Sequence, residues 1–370
     1  MSQRAQQLQQ INRQGVFYVT GGGSGLISEL LTTAGASKTV LEVSVPYANQ
    51  ALHELLGAQP EQACSRATAR ALAMAAYQRA RALAGKRPFG LACTAALATD
   101  RSRRGAHRAH IALQTESESL DWHIDLAGTR PQEERALVEA LWLSLDGLRN
   151  SRIPLSHKAP VPTAHTKTRA HRNWRAVLAG TIKAAPLRAA PDSPRPELLL
   201  PGSFNPLHDG HRRMLAIAEQ SLGVPGAFEL SIINVDKPPL DYSSIKERGA
   251  PFSGRNSAGP LWITALPTFI EKARAFPGVA FAVGADTITR IGEPRYYGDA
   301  RARNKALAEL ESLQTRFLVF GRASTQGFKA LNDLRLPAKL RSMCQGIDEV
   351  AFRSDLSSTA LRASSQARNQ

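Results

Sequence analysis

The sequence predicts an α/β protein with two domains, an N-terminal α/β layer domain and a C-terminal doubly wound parallel sheet. The chain has 370 residues, more than one hydrophobic core usually serves, so two domains are expected. Strand-like and helix-like patterns alternate over residues 16–150 and again over 197–362. We therefore place an N-terminal domain at 1–150 and a C-terminal domain at 197–370, joined by a basic, proline-rich linker at 151–196.

The N-terminal pattern begins with a strand, a turn and a helix. The run VFYVT is rich in strand-forming residues, GGGSG is typical of a turn, and LISELLTTAG predicts a helix that ends at Gly35. Two longer helices are expected, one after the N-cap Ser65 and one that starts at Pro131. The segments PFGLACTAALA and HRAHIALQT between them are typical of buried strands.

The C-terminal pattern consists of short apolar runs with helical stretches between several of them. The runs that predict strands are ELLLPGSF, AFELSIINV, VAFAVGAD, RFLVFGRA and DEVAF. The clearest helical stretches are HRRMLAIAEQSL and RNKALAELESLQ. This alternation indicates a Rossmann-like sheet, and such sheets bind ligands beyond the carboxyl ends of their strands.

The net charge of +16 favours anionic partners, and half of it is concentrated in the predicted linker. Residues 151–196 contain nine Lys or Arg and one Asp. Trp174 is the only aromatic residue there, so base stacking is poorly provided for. We therefore expect a solvated linker rather than a nucleic-acid surface, with residues 173–184 as a candidate short docked element.

The cysteines and the apolar segments indicate a soluble cytoplasmic protein. Cys64, Cys93 and Cys344 are odd in number and far apart, which favours neither a disulfide framework nor a zinc site and fits a reducing compartment. The polar N-terminus MSQRAQQLQQINRQG lacks the apolar core of a signal peptide. No apolar stretch approaches the ~20 residues of a membrane helix.

The stretch GSFNPLHDGH connects a predicted strand to a predicted helix. Backbone N–H groups and the positive end of the helix dipole make a helix start favourable for anions. His208 and His211 add imidazole donors at the same place without the cost of burying a full charge. Gly210 removes a side chain where a ligand must approach. The stretch therefore predicts a phosphate site.

This stretch resembles the HxGH signature of the nucleotidylyltransferase superfamily. More narrowly, it resembles the nicotinamide or nicotinic acid mononucleotide adenylyltransferases. Three later segments are similar to that family in the same order, namely NVDKPPLDYSSIKER, FAVGADTITR and SDLSSTALR. The last resembles the family's ISSTxxR signature, with Leu356 where Ile is usual. The resemblance spans about residues 197–365.

The resemblance implies a site for ATP and a pyridine mononucleotide. It implies that His208 and His211 hold the phosphates, with His211 closest to the bond that breaks, and that Arg362 adds a bidentate contact. The residues that it assigns to nucleotide binding are Gly202, Ser203, Phe204, Gly210, Lys237, Arg248, Gly284, Asp286, Ser357, Ser358 and Thr359. Mg²⁺ would be held mainly by the ATP phosphates, and no protein ligand is assigned to it.

Two departures from the family leave the acceptor open. The stretch GRNSAGPLWITALPTF, from Gly254, has no counterpart in the family pattern. The aromatic residue expected to stack on the pyridine ring is Tyr296 or Tyr297, and the spacing does not decide between them. The alternatives are another phosphate acceptor of the phosphopantetheine kind, cytidylyl transfer, or a non-catalytic nucleotide sensor.

Residues 16–150 resemble the CinA C-terminal family of nicotinamide mononucleotide amidases and their relatives, in the order of segments and in hydrophobic pattern. The family's ESCTGG motif places its nucleophilic serine where this chain has Gly21. The lysine of its YSNxAK segment is replaced by Leu52, and its TGIAGP loop reads TAALAT at 94–99. Acyl transfer needs a nucleophile, a base and an oxyanion pocket, so these changes predict a pseudo-amidase.

The resemblance leaves three alternatives for the glycine-rich turn. Gly21 to Gly25 either cradle a phosphate with their backbone N–H groups or form a turn without a ligand. The third alternative is residual amide hydrolysis through Ser24 or Thr20. The amidase-like families are also compatible with a homodimer.

Overall fold

The computed structural model describes residues 2–83, 85–100, 105–148, 164–188, 193–233, 240–324 and 327–353. The chain forms two compact units. The first comprises Met1–Ala170 and Val235–Ile245, and the second comprises His171–Asn234 and Lys246–Gln370. The described part of each unit combines a sheet with helices, which confirms the predicted α/β class.

The sheet of the first unit has the strand order β2-β1-β3-β4-β5-β6. Its strands are Gly15–Thr20 (β1), Val40–Ser44 (β2), Phe89–Ala96 (β3), Arg108–Thr115 (β4), Glu118–Asp125 (β5) and Ala164–Arg169 (β6). Its helices are Gln3–Gln9 (α1), Ser24–Leu31 (α2), Asn49–Leu56 (α3), Arg66–Ala82 (α4) and Arg130–Leu145 (α5), with short 3-10 turns at Ala36–Lys38 and Asp146–Leu148. Strand β1 is parallel to β2 and β3, and the later pairs are antiparallel.

Small residues allow α4 to lie close to the first sheet. Ala69, Ala73 and Ala76 are buried on α4, and a Cβ atom at Gly90 of β3 would lie 2.2 Å from the Ala73 carbonyl oxygen. The position therefore requires glycine. The helix begins after Ser65, as predicted, because the Ser65 side chain accepts a hydrogen bond from the Thr68 N–H. Helix α2 differs from the prediction, since it ends at Leu31 and not at Gly35.

The sheet of the second unit has the strand order β15-β12-β11-β8-β9-β10-β7. Its strands are Ala184–Pro186 (β7), Leu198–Pro201 (β8), Gly226–Ser231 (β9), Leu261–Thr264 (β10), Ala280–Gly284 (β11), Arg316–Phe320 (β12) and Cys344–Ile347 (β15). A separate hairpin pairs Arg322–Ser324 (β13) with Gly327–Lys329 (β14). Every pair in the larger sheet is parallel except that of β10 with β7.

Except for the first, which precedes β7, the helices of the second unit lie between these strands along the chain. They are Arg172–Ala179 (α6), Asp209–Leu222 (α7), Phe269–Ala275 (α9), Ala285–Ile291 (α10), Ala300–Ser312 (α11) and Ala338–Ser342 (α12). Short 3-10 turns lie at Ala250–Phe252, Pro294–Tyr296 and Leu331–Asp333. Helix α8, Tyr242–Gly249, has its first four residues in the first unit and the rest in the second.

The strand order of the second sheet creates a topological switch point. The chain passes from β8 to β9 and β10 on one side, and then returns to β11 and β12 on the other. Strands β8 and β11 are parallel neighbours, so their carboxyl ends flank the point where the order reverses. Ligands of doubly wound sheets bind in the crevice at this point. The predicted doubly wound sheet is therefore confirmed.

The linker predicted at 151–196 needs correction, because its described stretch 164–188 contains one strand of each sheet. Strand β6 pairs with β5, and β7 pairs with β10. The Trp174 indole Nε1, which is buried, donates to the Leu187 carbonyl oxygen at 2.9 Å. The second unit therefore begins at His171 and not at residue 197.

A second correction concerns the described residues 240–245, which belong to the first unit although the sequence placed them in the second domain. Arg70 Nε and Asp241 Oδ2 lie 2.7 Å apart, and the two side chains are 8% and 3% exposed. Arg70 Nη2 also donates to Asp241 Oδ1 at 2.8 Å, so the pair is bidentate. The Tyr242 N–H donates to Ser119 Oγ at 3.0 Å, which ties the next residue to β5.

Replacing Asp241 by Asn is expected to destabilise the first unit by about 3–5 kcal/mol, because a buried cation then loses its counter-charge. Urea unfolding followed by hydrogen exchange of α4 peptides measures the change. Arg79→Gln is the matched control, because the Arg79–Glu42 pair is 50% and 30% exposed and its loss should leave the transition midpoint nearly unchanged. Equal midpoint shifts in both variants would contradict a structural role for the buried pair.

Candidate functional site

The GSFNP turn after β8 is shaped by the buried ring of Phe204. Phe204 has φ = 43°, a left-handed conformation that is uncommon outside glycine, and its side chain is 2% exposed. The ring packs edge-on against Phe228 and Phe252. A Cβ atom at Gly202 would lie 2.4 Å from this ring, so glycine is required there. The turn is therefore fixed by packing before α7 begins.

The two histidines of the HDGH segment lie face to face at the start of α7. Their ring centroids are 3.8 Å apart, and the His208 backbone N–H donates to His211 Nδ1 at 3.3 Å. Because Nδ1 accepts this bond, the neutral His211 ring carries its proton on Nε2. The ring of Phe204 contacts His211 edge-on at 5.3 Å between centroids. The pair is thus positioned by the turn and by the first helical residues.

Burial keeps both imidazoles neutral at pH 7. Burial, with a smaller contribution from His208, lowers the pKa of His211 to about 4. Burial also lowers the pKa of His208, and the neighbouring Asp209 carboxylate opposes this shift. The Nδ1 atom of His208 is buried and has no hydrogen-bond partner among the described residues. An unpaired buried nitrogen is costly, so it fits a position that a ligand oxygen would occupy.

Two further predicted residues lie at elements next to this pair. Arg248, at the end of α8, donates from Nη1 to the Ser203 carbonyl oxygen at 3.2 Å. Asp286 follows the carboxyl end of β11, is exposed, and forms an ion pair with Arg322. A Cβ atom at Gly284 would meet nothing within 4 Å, so space is open at the end of β11.

The described residues do not test every predicted position. Lys237, Ser357, Ser358, Thr359 and Arg362 lie outside them. Gly210 is described, and it is buried in the first turn of α7.

Both candidate aromatic residues have contacts within the second unit. The Arg295 guanidinium lies over the ring of Tyr296 at 4.7 Å, and the Tyr297 hydroxyl donates to the Ile291 carbonyl oxygen at 3.0 Å. The stretch from Gly254 that had no family counterpart contains β10, a strand of the sheet. Arg322 was missed by the sequence reasoning, although its position directly after the predicted strand RFLVF could have indicated it.

The glycine-rich turn of the first unit holds a carboxylate of the protein itself. Glu134 Oε2 accepts from the Gly23 N–H at 2.9 Å, and Oε1 accepts from the Gly25 N–H at 3.2 Å and from Ser24 Oγ at 3.0 Å. In this structure the N–H groups that could cradle a phosphate are therefore bonded to Glu134. The turn is neither a vacant phosphate cradle nor a glycine turn without a partner.

The position of the family's nucleophile has no room for a side chain. Gly21 has φ = 82°, and a Cβ atom there would lie 2.0 Å from the Ala95 carbonyl oxygen. The Thr20 hydroxyl, one of the alternative nucleophiles, donates to the Pro46 carbonyl oxygen at 3.1 Å. In the loop that reads TAALAT, the Ala98 N–H donates to the buried Glu133 at 2.6 Å. These contacts give Gly21, Thr20 and the loop structural partners.

A cavity of about 340 Å³ adjoins this turn in the first unit. Its lining residues are Val19, Gly21, Gly22, Ser24, Val45, Tyr47, Arg130, Pro131 and Glu134. The Arg130 guanidinium donates to the Ala98 carbonyl oxygen at 3.1 Å, so the cavity adjoins the TAALAT loop as well.

Among the described residues, no three His, Cys, Asp or Glu side chains form a group that could hold a metal ion.

Among known proteins, several solved structures are similar to part of this chain. No protein-family profile matches the chain. No curated protein matches it either. The chain is similar to a competence or damage-inducible protein from Enterobacter asburiae, at 17% identity and TM-score 0.34, over 39% of this chain and 93% of that one. It is also similar to the competence/damage inducible protein CihA from Agrobacterium tumefaciens, at 20% identity and TM-score 0.33, over 40% and 94%.

A third similar structure is a competence-damaged protein (CinA) superfamily protein from Enterobacter cloacae. It has 16% identity and a TM-score of 0.34, and the match covers 39% of this chain and 88% of that one.

In the described parts of the chain, no helix combines the length and the apolar character needed to cross a membrane.

The ring protons of His211 are expected to titrate with a midpoint about 4 in an NMR experiment. Because this folded pKa lies below the ordinary value of 6.5, the unfolded chain binds more protons between those two values, and stability falls as the pH decreases from 6.5 towards 4. His211→Gln identifies the resonance and should lose less stability over the same pH range. A midpoint near 6.5 would contradict a buried, neutral ring.

Removing the Glu134 carboxylate is expected to loosen the start of α2. Glu134→Ala leaves two backbone N–H groups and the Ser24 hydroxyl without their acceptor, at an expected cost of about 1–3 kcal/mol. Amide exchange at Gly23 and Gly25, followed by NMR, should become faster. Arg135→Ala is the control on the same helix, because that side chain is exposed. Unchanged exchange in Glu134→Ala would show that these bonds do not hold the turn.

Proposed function

We propose that the second unit is a nucleotidyltransferase that transfers AMP from ATP to nicotinic acid or nicotinamide mononucleotide and releases pyrophosphate. The observation that carries the proposal is the neutral pair His208 and His211 at the switch point of a doubly wound sheet. One nitrogen of this pair is buried without a partner among the described residues. A buried, neutral imidazole is suited to a phosphate oxygen because its N–H donates a hydrogen bond without the cost of burying a cation.

The proposed reaction needs alignment and charge stabilisation rather than a general base. The acceptor phosphate is already an anion, so it attacks the α-phosphorus of ATP directly, and the bond to the pyrophosphate oxygen breaks. Negative charge then shifts onto the leaving pyrophosphate, where fixed donors lower the barrier. His211 is the best-held donor of the pair, since the His208 N–H and the Phe204 ring both contact it.

The remaining described residues support this assignment by position. Arg248 holds the Ser203 carbonyl oxygen, so its cationic group lies at the turn that carries the histidines. The ATP phosphates themselves would hold Mg²⁺, which supplies further neutralisation of the departing pyrophosphate. We assign Asp286, whose carboxylate pairs with Arg322, to the acceptor side of the switch point.

We propose that the first unit does not hydrolyse amides. Gly21 replaces the family's serine and has no room for a side chain. The Ser24 hydroxyl donates to Glu134, whose oxygens also accept from two backbone N–H groups. A carboxylate shared in this way is a poor base for activating a nucleophile.

Incubation of the protein with ATP, Mg²⁺ and each mononucleotide is expected to yield dinucleotide and pyrophosphate. His211→Ala should lower the rate by about 10²–10³-fold, the effect of losing one transition-state donor. His171→Ala is the matched control, because that histidine caps α6 through the Asn173 N–H and its ring lies beside Trp174. The same incubations should release no ammonia from nicotinamide mononucleotide.

Other outcomes of this experiment identify other functions. Product with a different phosphate acceptor, or with CTP in place of ATP, would support nucleotidyl transfer but show that the protein uses a different substrate from the one proposed. Binding of ATP without turnover of any acceptor would indicate a nucleotide sensor. Ammonia release would contradict the loss of amidase activity in the first unit.

A further inference from the structure

We infer that the cavity of the first unit binds a free α-amino acid with an apolar side chain. The inference does not depend on the transferase reaction proposed for the second unit. Its basis is that two opposite charges, Arg130 and Glu134, line one cavity of about 340 Å³. In the part of the chain that the structure describes, these two side chains form no ion pair with each other.

The Arg130 guanidinium retains donors for a ligand. Arg130 is the first residue of α5, and Glu134 lies four residues later, so the two side chains are neighbours on one face of the helix. Arg130 Nη1 donates to the Ala98 carbonyl oxygen, and its guanidinium makes no other hydrogen bond among the described residues. A guanidinium has five N–H donors in a planar fork, which suits a carboxylate. The remaining donors can therefore hold the carboxylate of a ligand.

The Glu134 carboxylate is held in position by the glycine-rich turn and retains one acceptor site. Its Oε1 atom accepts from the Gly25 N–H and from the Ser24 hydroxyl, whereas Oε2 accepts only from the Gly23 N–H. A carboxylate has about four lone-pair sites, so one site remains on Oε2. An ammonium group at this oxygen would use that site and neutralise the carboxylate.

The two charges decide which ligand the cavity favours. A phosphate or another simple anion would meet the Glu134 carboxylate, because the N–H groups that could hold an anion already donate to it. A simple cation would meet the Arg130 guanidinium. Since like charges oppose binding and opposite charges favour it, both kinds of ligand gain one contact and lose another. A zwitterion, with its ammonium and carboxylate groups on one carbon atom, satisfies both side chains.

The other lining residues provide a surface for an apolar side chain. Val19 and Pro131 line the cavity, and Val45 and Tyr47 line it although they are 51% and 68% exposed. Only five large hydrophobic side chains are exposed among the described residues, and these are two of them. Exposed apolar groups at a concave site are typical of ligand binding. The volume of about 340 Å³ is at the small end of the range for ligand pockets, so it suits an amino acid better than a nucleotide.

The test measures the binding of small probes to the full chain by calorimetry and by NMR of the Gly23 and Gly25 amides. The probes are L-leucine, L-phenylalanine and two analogues of L-phenylalanine. Phenethylamine keeps the ring and the ammonium group, and 3-phenylpropionate keeps the ring and the carboxylate. At least one of the amino acids should bind, and each analogue should bind at least about 10-fold more weakly than L-phenylalanine, because it lacks one hydrogen-bonded charge.

Three variants show whether the two side chains recognise the two charges. Arg130→Gln should weaken amino-acid binding by about 10- to 100-fold and leave phenethylamine binding equal or improved, because the opposing cation is gone. Glu134→Gln, which keeps an acceptor oxygen for the turn, should do the same for 3-phenylpropionate. Arg135→Gln is the control, because Arg135 is exposed on the same helix and does not line the cavity. Thermal unfolding of each variant shows that it is folded, and Arg130→Gln leaves the contacts of Glu134 with the turn in place.

Four results would overturn the inference. The first is that neither amino acid binds at millimolar concentrations, and the second is that either analogue binds as tightly as L-phenylalanine. The third is an equal loss of binding in Arg130→Gln and Arg135→Gln. The fourth is that inorganic phosphate or nicotinamide mononucleotide shifts the Gly23 and Gly25 amide resonances at lower concentrations than the amino acids do, which would indicate an anion site. Dinucleotide formation by the second unit is measured separately, so each of these results leaves the proposed reaction unaffected.

Discussion

The position of β8 in the middle of a parallel sheet is the constraint on which the candidate site depends. Because the chain leaves β8 towards one side of the sheet and later returns to the other, the carboxyl ends of β8 and β11 flank the point where the strand order reverses, which is where doubly wound sheets bind ligands. The histidine turn follows one of these strands, and Asp286 follows the other. Candidate site residues that are far apart in the sequence therefore lie at one edge of the sheet.

The local structure adds what the topology cannot provide, namely neutral imidazoles in fixed positions. Phe204 adopts a left-handed backbone so that its ring can enter the core, where it also contacts His211. Burial then disfavours the charged form of the histidines. The same packing that stabilises the turn thus sets the protonation state of the groups that we assign to phosphate binding.

Local sequence patterns were sufficient for the elements that carry the histidine site. The apolar run before Gly202 and the helix after His208 are local features, and the structure confirms both. The strands at 164–169 and 184–186 were missed because pairing with β5 and β10 creates them, and short basic or proline-containing segments give no periodic signal. Similarly, Glu134 lies about 110 residues from the turn that it binds, so no local pattern could indicate the contact.

The discontinuous first unit has a consequence for how the protein is made. Arg70 is synthesised 171 residues before Asp241, its buried partner. While the nascent chain is shorter than this, the guanidinium has no carboxylate from that segment to neutralise it, and a charge of this kind resists burial. The first domain to leave the ribosome can therefore complete its packing only after the first strands of the second have been translated. The order of synthesis and the order of folding are not the same in this chain.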